Sequence, residues 1–461
     1  MADSQEQKTH PQWRLTPGYL REGGSDVAST LILLGHFLAD RNSPSPLPEK
    51  SLFTEDGEFE WGDAPTLEKV ISSLEDWEFL LHNPRLFRHS IFIIEPWNHV
   101  GINDLNEEVR ASKNVAYMAQ KIADCDSILL PVWHTGLLKK SSLMPILSSS
   151  MAVILEGGEP AVYDSSQWNY PNCPREDILT LVENLLLSRF HNTAPIIMIC
   201  VSHQLAAESH IRLLKRAVND IKMTEKLISD LEGDALISLK KVAAKIESVG
   251  ETLNIEKRDG RIVAHGWNDD SFAVVRNEDK EVGDCQLLPY QTPSLKDTNI
   301  PHELLEAHQV MAHEYEGVID SMIVEHGRDI TISMFHSDEV NEEAVLFANW
   351  AYIALYNAIV PYRDVIATSH LSWLLQLPYS VEILASTEAS GEILTECSCT
   401  CINYKDFETK DIRRSFTCQF HPELLSDLRE IGKRSEPSYQ ELKDNDGIRL
   451  LARLLYEGIQ K

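Results

Sequence analysis

Residues 197–204 read IMICVSHQ, an apolar run that stops on Cys200 and gives way to a small residue, a histidine and a glutamine. Cys200 is either a core residue closing a buried strand or a nucleophile displayed at a sharp turn into a helix. The stretches upstream set its context. SIFIIE (90–95), SILLPV (127–132), MAVILE (151–156) and APIIMIC (194–200) are short, apolar and rich in β-branched residues. That is the pattern of strands buried on both faces of a parallel sheet. Helical spacing separates them at about 106–123, 137–147 and 176–189. The alternation predicts an α/β fold, an open and mostly parallel sheet flanked by helices. Ligands of such sheets bind at the C-terminal ends of strands, where Cys200 and the pair Gly157-Gly158 both fall.

Downstream, 206–248 carries one long apolar stripe, from Ile211, Leu214, Val218 and Ile221 through Leu227 and Leu231 to Leu239, Val242 and Ile246. Residues 257–267 read as a turn entering a strand and 277–300 as a polar loop. Helical patterns follow at about 301–326 and 339–359. Strand character returns after Pro361 in RDVIATS, SVEILAST, ILTECSCTCINY and RRSFTCQF, the last running into His421-Pro422-Glu423. An amphipathic helix closes the chain from Asp446 to Ile459. Ahead of the first strand, Val27–Asp40 and Leu67–Leu81 have helical spacing. The expected organisation is a helical N-terminal extension (1–86), an α/β domain split between 87–205 and 363–461, and a mainly helical insertion (206–362).

Composition narrows the classes. There are 71 Asp and Glu against 42 Lys and Arg, a formal net charge of −29, so the surface repels phosphate backbones and anionic lipid. Neither nucleic acid nor membrane is an expected partner. The N-terminus is polar, and no uncharged apolar run reaches the ~18 residues that a spanning helix needs. Eight cysteines in 461 residues are too sparse for a disulfide scaffold. A cytoplasmic protein is expected.

The chemistry gathers around Cys200. A cysteine at a strand-to-helix elbow lies beside the first free amides of a helix, which favour negative charge on sulfur. A nucleophile needs a base, and the base an orienting acceptor. CQFHPE offers His421 and, two residues on, Glu423. Gly157-Gly158 at a neighbouring strand end lets backbone approach a substrate oxygen with no Cβ in the way. With the Val201 amide it would form an oxyanion hole.

ICVSHQ, EGGEP and QFHPE, in that order, resemble the three signatures of class I glutamine amidotransferases. TSHLSWLLQLPYSVEILAST resembles the segment that such domains place before the catalytic histidine. The resemblance implies a flavodoxin-like open sheet and a Cys-His-Glu triad hydrolysing the side-chain amide of glutamine. By it Cys200 is the nucleophile, His421 the general base and then acid, and Glu423 the orienter. Gly157, Gly158 and Val201 supply the oxyanion hole, and Gln204 lines the glutamine site. The family usually has glycine two residues before and two after the cysteine, where Met198 and Ser202 stand here. Bulk at Met198 is expected to crowd the elbow, and Ser202 to strain it.

The implied substrate is glutamine or another γ-glutamyl amide, with no cofactor and no metal. A phosphate-cradling glycine loop with lysine is not found, so an acceptor-activating synthase would be a separate chain. A stand-alone γ-glutamyl peptidase, and a binding scaffold of the same fold, remain open at this point. Three other features read as structural. HELLEAHQVMAHEYE (302–316) lacks His-Glu-x-x-His spacing, and its His302, Glu306, His313 and Glu316 read as a solvated face. Cys397, Cys399 and Cys401 alternate on a strand and would all pack on one side. FHSDEV (335–340) echoes a phrase of the family but lies far from the Leu-Pro piece, and reads as chance.

Overall fold

The computed structural model describes residues 68–84, 87, 90–97, 115, 126–158, 160–168, 171–189, 194–224, 233–253, 266–270, 272–293, 300–314, 330–389, 392–421, 446–447, 450–451 and 454–455. The expected helix at Val27–Asp40, residues Pro422 and Glu423, and most of the stretches 106–123 and 257–267 lie outside these residues.

Ten strands form one sheet: β1 (Glu68–Val70), β2 (Ser90–Glu95), β3 (Asp126–Pro131), β4 (Ala152–Leu155), β5 (Ile196–Ile199), β6 (Val274–Pro289), β7 (Ile330–Val340), β8 (Ser380–Ala389), β9 (Glu392–Lys405) and β10 (Ile412–Cys418). Their order is β1-β3-β2-β4-β5-β10-β9-β8-β6-β7. The five ladders from β1 to β10 are parallel. The four from β10 to β7 are antiparallel. The sheet is therefore mixed but mostly parallel, and β5 and β10 meet at its centre.

The helices are α1 (Leu74–Leu81), α2 (Val132–Thr135), α3 (Leu143–Ser148), α4 (Arg175–Ser188), α5 (Val201–Met223), α6 (Asp234–Thr252), α7 (His302–Glu314), α8 (Glu342–Ile359) and α9 (Arg363–Ala367). Side chains of a strand alternate between faces. Phe92, Ile94, Leu130, Val153, Leu155 and Met198 face one core, with Leu185 of α4, Leu214 of α5, Ile246 of α6 and Leu346 of α8. Ile91, Ile93, Leu129, Ile154, Ile197 and Ile199 face the other, covered by Val115 and by Leu450, Leu451, Leu454 and Leu455. Those four leucines fall at the spacing of the closing amphipathic helix.

The apolar runs of the parallel half form its strands as expected; other stretches depart from expectation. The stretch read as a mainly helical insertion supplies two long strands, β6 and β7, to the same sheet. The loop expected over 277–300 is mostly β6. The single stripe over 206–248 is two helices, α5 and α6, which pack on each other, and Gly233 with φ of 73° precedes the second. RDVIATS is not a strand but α9 and its flanks. At the front, Leu67–Leu81 divides into edge strand β1, paired with β3, and α1, whose Ser73 cap accepts from the Asp76 amide.

Helix α8 is capped by Asn341, whose side chain accepts from Glu343 N at 3.1 Å. The span 342–367 is apolar enough to cross a bilayer by composition, yet 67% of its most apolar window is buried in this fold. It is covered by α5, α6, α7 and β8, and serves here as a core helix.

The three cysteines of β9 do not share a face. Cys399 and Cys401 join the second core, whereas Cys397 joins the first. The β8–β9 register slips between the pairs Ala385–Cys399 and Thr387–Thr395. There β9 advances four residues while β8 advances two, which breaks the regular alternation between Cys399 and Cys397.

Candidate active site

The elbow is built by the transition from β5 to α5. Cys200 has φ of 52° and ψ of −115°. A positive φ is unfavourable for any residue with a Cβ, by about 1–3 kcal/mol, and is held only where the surroundings fix it. Two bonds fix it here. Cys200 N donates to Cys418 O at 2.7 Å, and Gln204 N donates to Cys200 O at 3.2 Å, the first turn of α5. The thiol is thereby placed at the N-terminus of a 23-residue helix, at the C-terminal edge of the sheet.

Ser202 is accommodated where the family usually has glycine. Its hydroxyl, fully buried, donates to Glu156 O at 2.6 Å, tying the first turn of α5 to the end of β4. Met198 does not crowd the elbow. It points into the helix-covered core, in register with Leu155 and Thr417.

The end of β4 closes on the thiol. A Cβ built on Gly157 would sit 2.8 Å from Cys200 Cβ, 3.0 Å from His421 Cε1 and 3.5 Å from Cys200 Sγ. A Cβ on Gly158 would lie 3.3 Å from both Val201 Cγ1 and Trp97 Cβ. Cys200, Gly157 and His421 thus meet at one point, with Gly158 and Val201 beside it. Only 3% of Cys200 is exposed. Glu423, the expected orienter, lies outside the described residues.

Gln204 lies one turn into α5. Its Nε2 donates to Asp338 O at 2.7 Å and lies 3.4 Å from Gln419 Oε1. Asp338 accepts from the Tyr163 hydroxyl at 3.0 Å. Burial pushes its carboxyl above the usual range, opposed by that hydrogen bond and by Arg276. Burial likewise raises the Tyr163 hydroxyl, with the Asp338 charge next in weight.

His336, two residues before Asp338 on β7, is lowered to about 4, first by burial and then by the His421 charge. His203, next to Gln204, is lowered to about 3 by burial; its ring nitrogens face Thr417 Oγ1 at 2.5 Å and Cys397 O at 3.0 Å. Both imidazoles are neutral at pH 7.

Sequence reasoning missed Tyr163, His336, Asp338 and Gln419. FHSDEV, although distant in the chain from the Leu-Pro piece, is the C-terminal end of β7 and lies against Gln204. The His421 charge also acts on His336, so this end of β7 lies near His421.

Three chemical parts converge: a cysteine at a forced turn, a glycine beside it at a helix N-terminus, and a histidine on the other side of that glycine. No protein-family profile matches the chain, and neither does any curated protein. Among solved structures, similar ones include a glutamine amidotransferase from Thermotoga maritima (13% identity, TM-score 0.35, 81% of this chain and 99% of that one). Another is the glutaminase domain of CTPS from Trypanosoma brucei with bound acivicin (12%, 0.35, 80% and 94%). A third is a protein from Thermoplasma acidophilum described as one subunit of a GMP synthase (11%, 0.30, 80% and 94%).

Proposed function

We propose that this protein cleaves a γ-glutamyl amide, glutamine in the first instance, through a thioester on Cys200. The observation that carries the reading is Cys200 held at positive φ between β5 and α5, with Gly157 close to both it and His421. A sulfur so placed is presented to the site while the helix amides favour its negative charge.

His421 takes the thiol proton. The sulfur then attacks the amide carbon, and the developing oxyanion is met by the Val201 amide and the backbone at Gly157-Gly158. The C–N bond breaks as His421 returns the proton, and ammonia departs. Water then adds to the thioester, giving its proton to His421; the C–S bond breaks, releasing a γ-carboxylate and restoring the thiol. Glu423 would orient His421.

The acceptor-activating step belongs, in this reading, to a separate synthase chain. A reducing, cytoplasmic setting, in which thiols stay reduced, is part of this reading.

Incubation with a diazo-ketone analogue of glutamine, followed by intact and peptide mass, tests the proposal. Stoichiometric label on Cys200, absent in Cys200→Ser, is the expected result. Cys200→Ser should also lower glutaminase turnover by about 10³-fold or more. Label only from γ-glutamyl peptide analogues would replace the amidotransferase reading by a peptidase. Absence of label from both kinds of probe overturns it.

A further inference from the structure

The carboxamide of Gln419 is a polar side-chain group facing the Cys200 sulfur. Gln419 follows β10 directly and precedes His421 by two residues, and its side chain is fully buried. Its Nε2 lies 3.9 Å from Cys200 Sγ, within reach of an N–H···S contact, which is longer than N–H···O because sulfur is the larger atom. Its main-chain N–H donates to Ser398 O at 2.9 Å, so the residue is anchored to β9 as well as to β10.

Which end of the carboxamide faces the sulfur is set by its neighbours. Gln204 Nε2 has two hydrogens. One goes to Asp338 O at 2.7 Å and the other is directed at Gln419 Oε1, 3.4 Å away. The Gln419 oxygen is therefore turned toward Gln204, and its N–H₂ is turned toward Cys200. A carbonyl cannot donate, so Asp338 O fixes Gln204 and Gln204 fixes Gln419.

We propose that Gln419 is the hydrogen-bond donor that steadies the Cys200 thiolate, with Gln204 and the Asp338 carbonyl as the brace that keeps the donor aimed. Gln204 is on this view a positioning residue rather than a group that binds substrate through its amide. A neutral donor on a sulfur that gains charge strengthens as the charge develops. The proposal rests on the reading of Cys200 as the nucleophile, but its test reads the sulfur and not turnover.

The titratable groups around the sulfur are His421 from the end of β10, His336 and Asp338 from β7, and His203 from α5. His203 and His336 are neutral above about pH 4, and burial raises the Asp338 carboxyl.

The experiment measures alkylation of Cys200 by iodoacetamide across pH, by peptide mass, on the full chain carrying Gln419→Met or Gln419→Glu. The melting temperature is recorded for each. At pH 7 the rate should fall about fivefold to tenfold in the Met variant. It should fall at least another tenfold in the Glu variant, because a carboxylate then faces the thiolate. The pH–rate profile should move upward in the same order. Gln204→Met, which leaves Gln419 in place and removes its brace, should slow alkylation by a smaller factor. It is the deciding variant if the Gln419 substitutions do not fold. Alkylation of the Met variant at or above the wild-type rate, with an unshifted profile, overturns the proposal; so does an unshifted Gln204→Met where that variant decides. Failure of the glutamine analogue to label Cys200, with this order of rates intact, would remove the proposed reaction and leave the donor.

Discussion

Gly157 and Cys200 lie so close that a single methyl group on the glycine would overlap the cysteine: the added Cβ would sit 2.8 Å from Cys200 Cβ and 3.0 Å from His421 Cε1. Neither neighbour is the free end of a flexible chain. Cys200 Cβ is fixed by a positive φ, and His421 stands three residues beyond the end of β10. Absence of a side chain at Gly157 is thus a requirement for nucleophile and histidine to share one point.

Gly157→Ala should therefore separate Cys200 from His421. Displacement of about 1 Å costs roughly a hundredfold in rate when reacting groups are held this closely. Overpacking at a buried position adds about 1–3 kcal/mol of destabilisation. Glutaminase kinetics beside a denaturant melt would check it. A variant with wild-type turnover would show that the β4 end does not form the site.

Ser202→Ala should reveal what the serine does where a glycine is usual. The hydroxyl donates to Glu156 O at 2.6 Å with no exposure. Removing it leaves a buried carbonyl short of a donor, a loss of about 1–3 kcal/mol. Stability should drop more than kcat, because the bond ties two elements and touches no reacting atom. Equal melting temperatures for wild type and variant would contradict the role given to this bond.

Acid should destabilise the fold as pH falls below about 6.5 through its buried histidines. Burial lowers His203 and His210 to about 3, and His308 and His336 to about 4. The unfolded chain takes up these protons near pH 6.5 and the folded chain does not. The unfolded state therefore binds more protons between about pH 6.5 and 4, and stability rises with pH there. Each histidine contributes a slope of at most about 1.4 kcal/mol per pH unit in that window. Chemical melts from pH 7 to pH 4.5 should show the steep loss. His210→Gln, away from the catalytic edge and bonded to Tyr352, should reduce the slope by one proton. An unchanged slope would mean that His210 titrates alike in both states.

The parallel half of the sheet was legible because its strands are buried on both faces, so SIFIIE and MAVILE are continuous apolar runs. β6 was not legible. Its middle, NEDKEVGD (277–284), is polar, and its ladder to β7 slips between Arg276 and Glu281; neither a period of two nor an apolar run marks it. β7 escaped for another reason. Distance along the chain separates FHSDEV from the other motifs, whereas an antiparallel sheet sets β6, β7 and β8 side by side across intervening helices. At the site, Cys200, Gly157 and His421 were legible as residues of stated chemistry at strand ends. Gln419 was not singled out, although it stands inside QFHPE. Its role is visible only once Gln204, Asp338 and the sulfur are seen to define one direction.

Met198 marks the position where the family pattern suggested a crowded elbow and the fold shows none. The side chain is fully buried in the helix-covered core, on the face of β5 opposite to Ile199 and Cys200. Alternation along the strand explains this: position 198 points to one face and position 200, after the turn breaks the alternation, packs with the other. Bulk at 198 therefore fills core volume and leaves the thiol alone. Met198→Ala should cost about 2–5 kcal/mol through the cavity left behind, while the folded fraction keeps Cys200 reactive toward iodoacetamide at a rate within about twofold of wild type. Met198→Leu, nearly volume-conserving, should cost less than about 1.5 kcal/mol. The measurement pairs a denaturant melt with alkylation under strongly native conditions. A large change in alkylation rate in the leucine variant, with stability retained, would show that the side chain shapes the elbow after all.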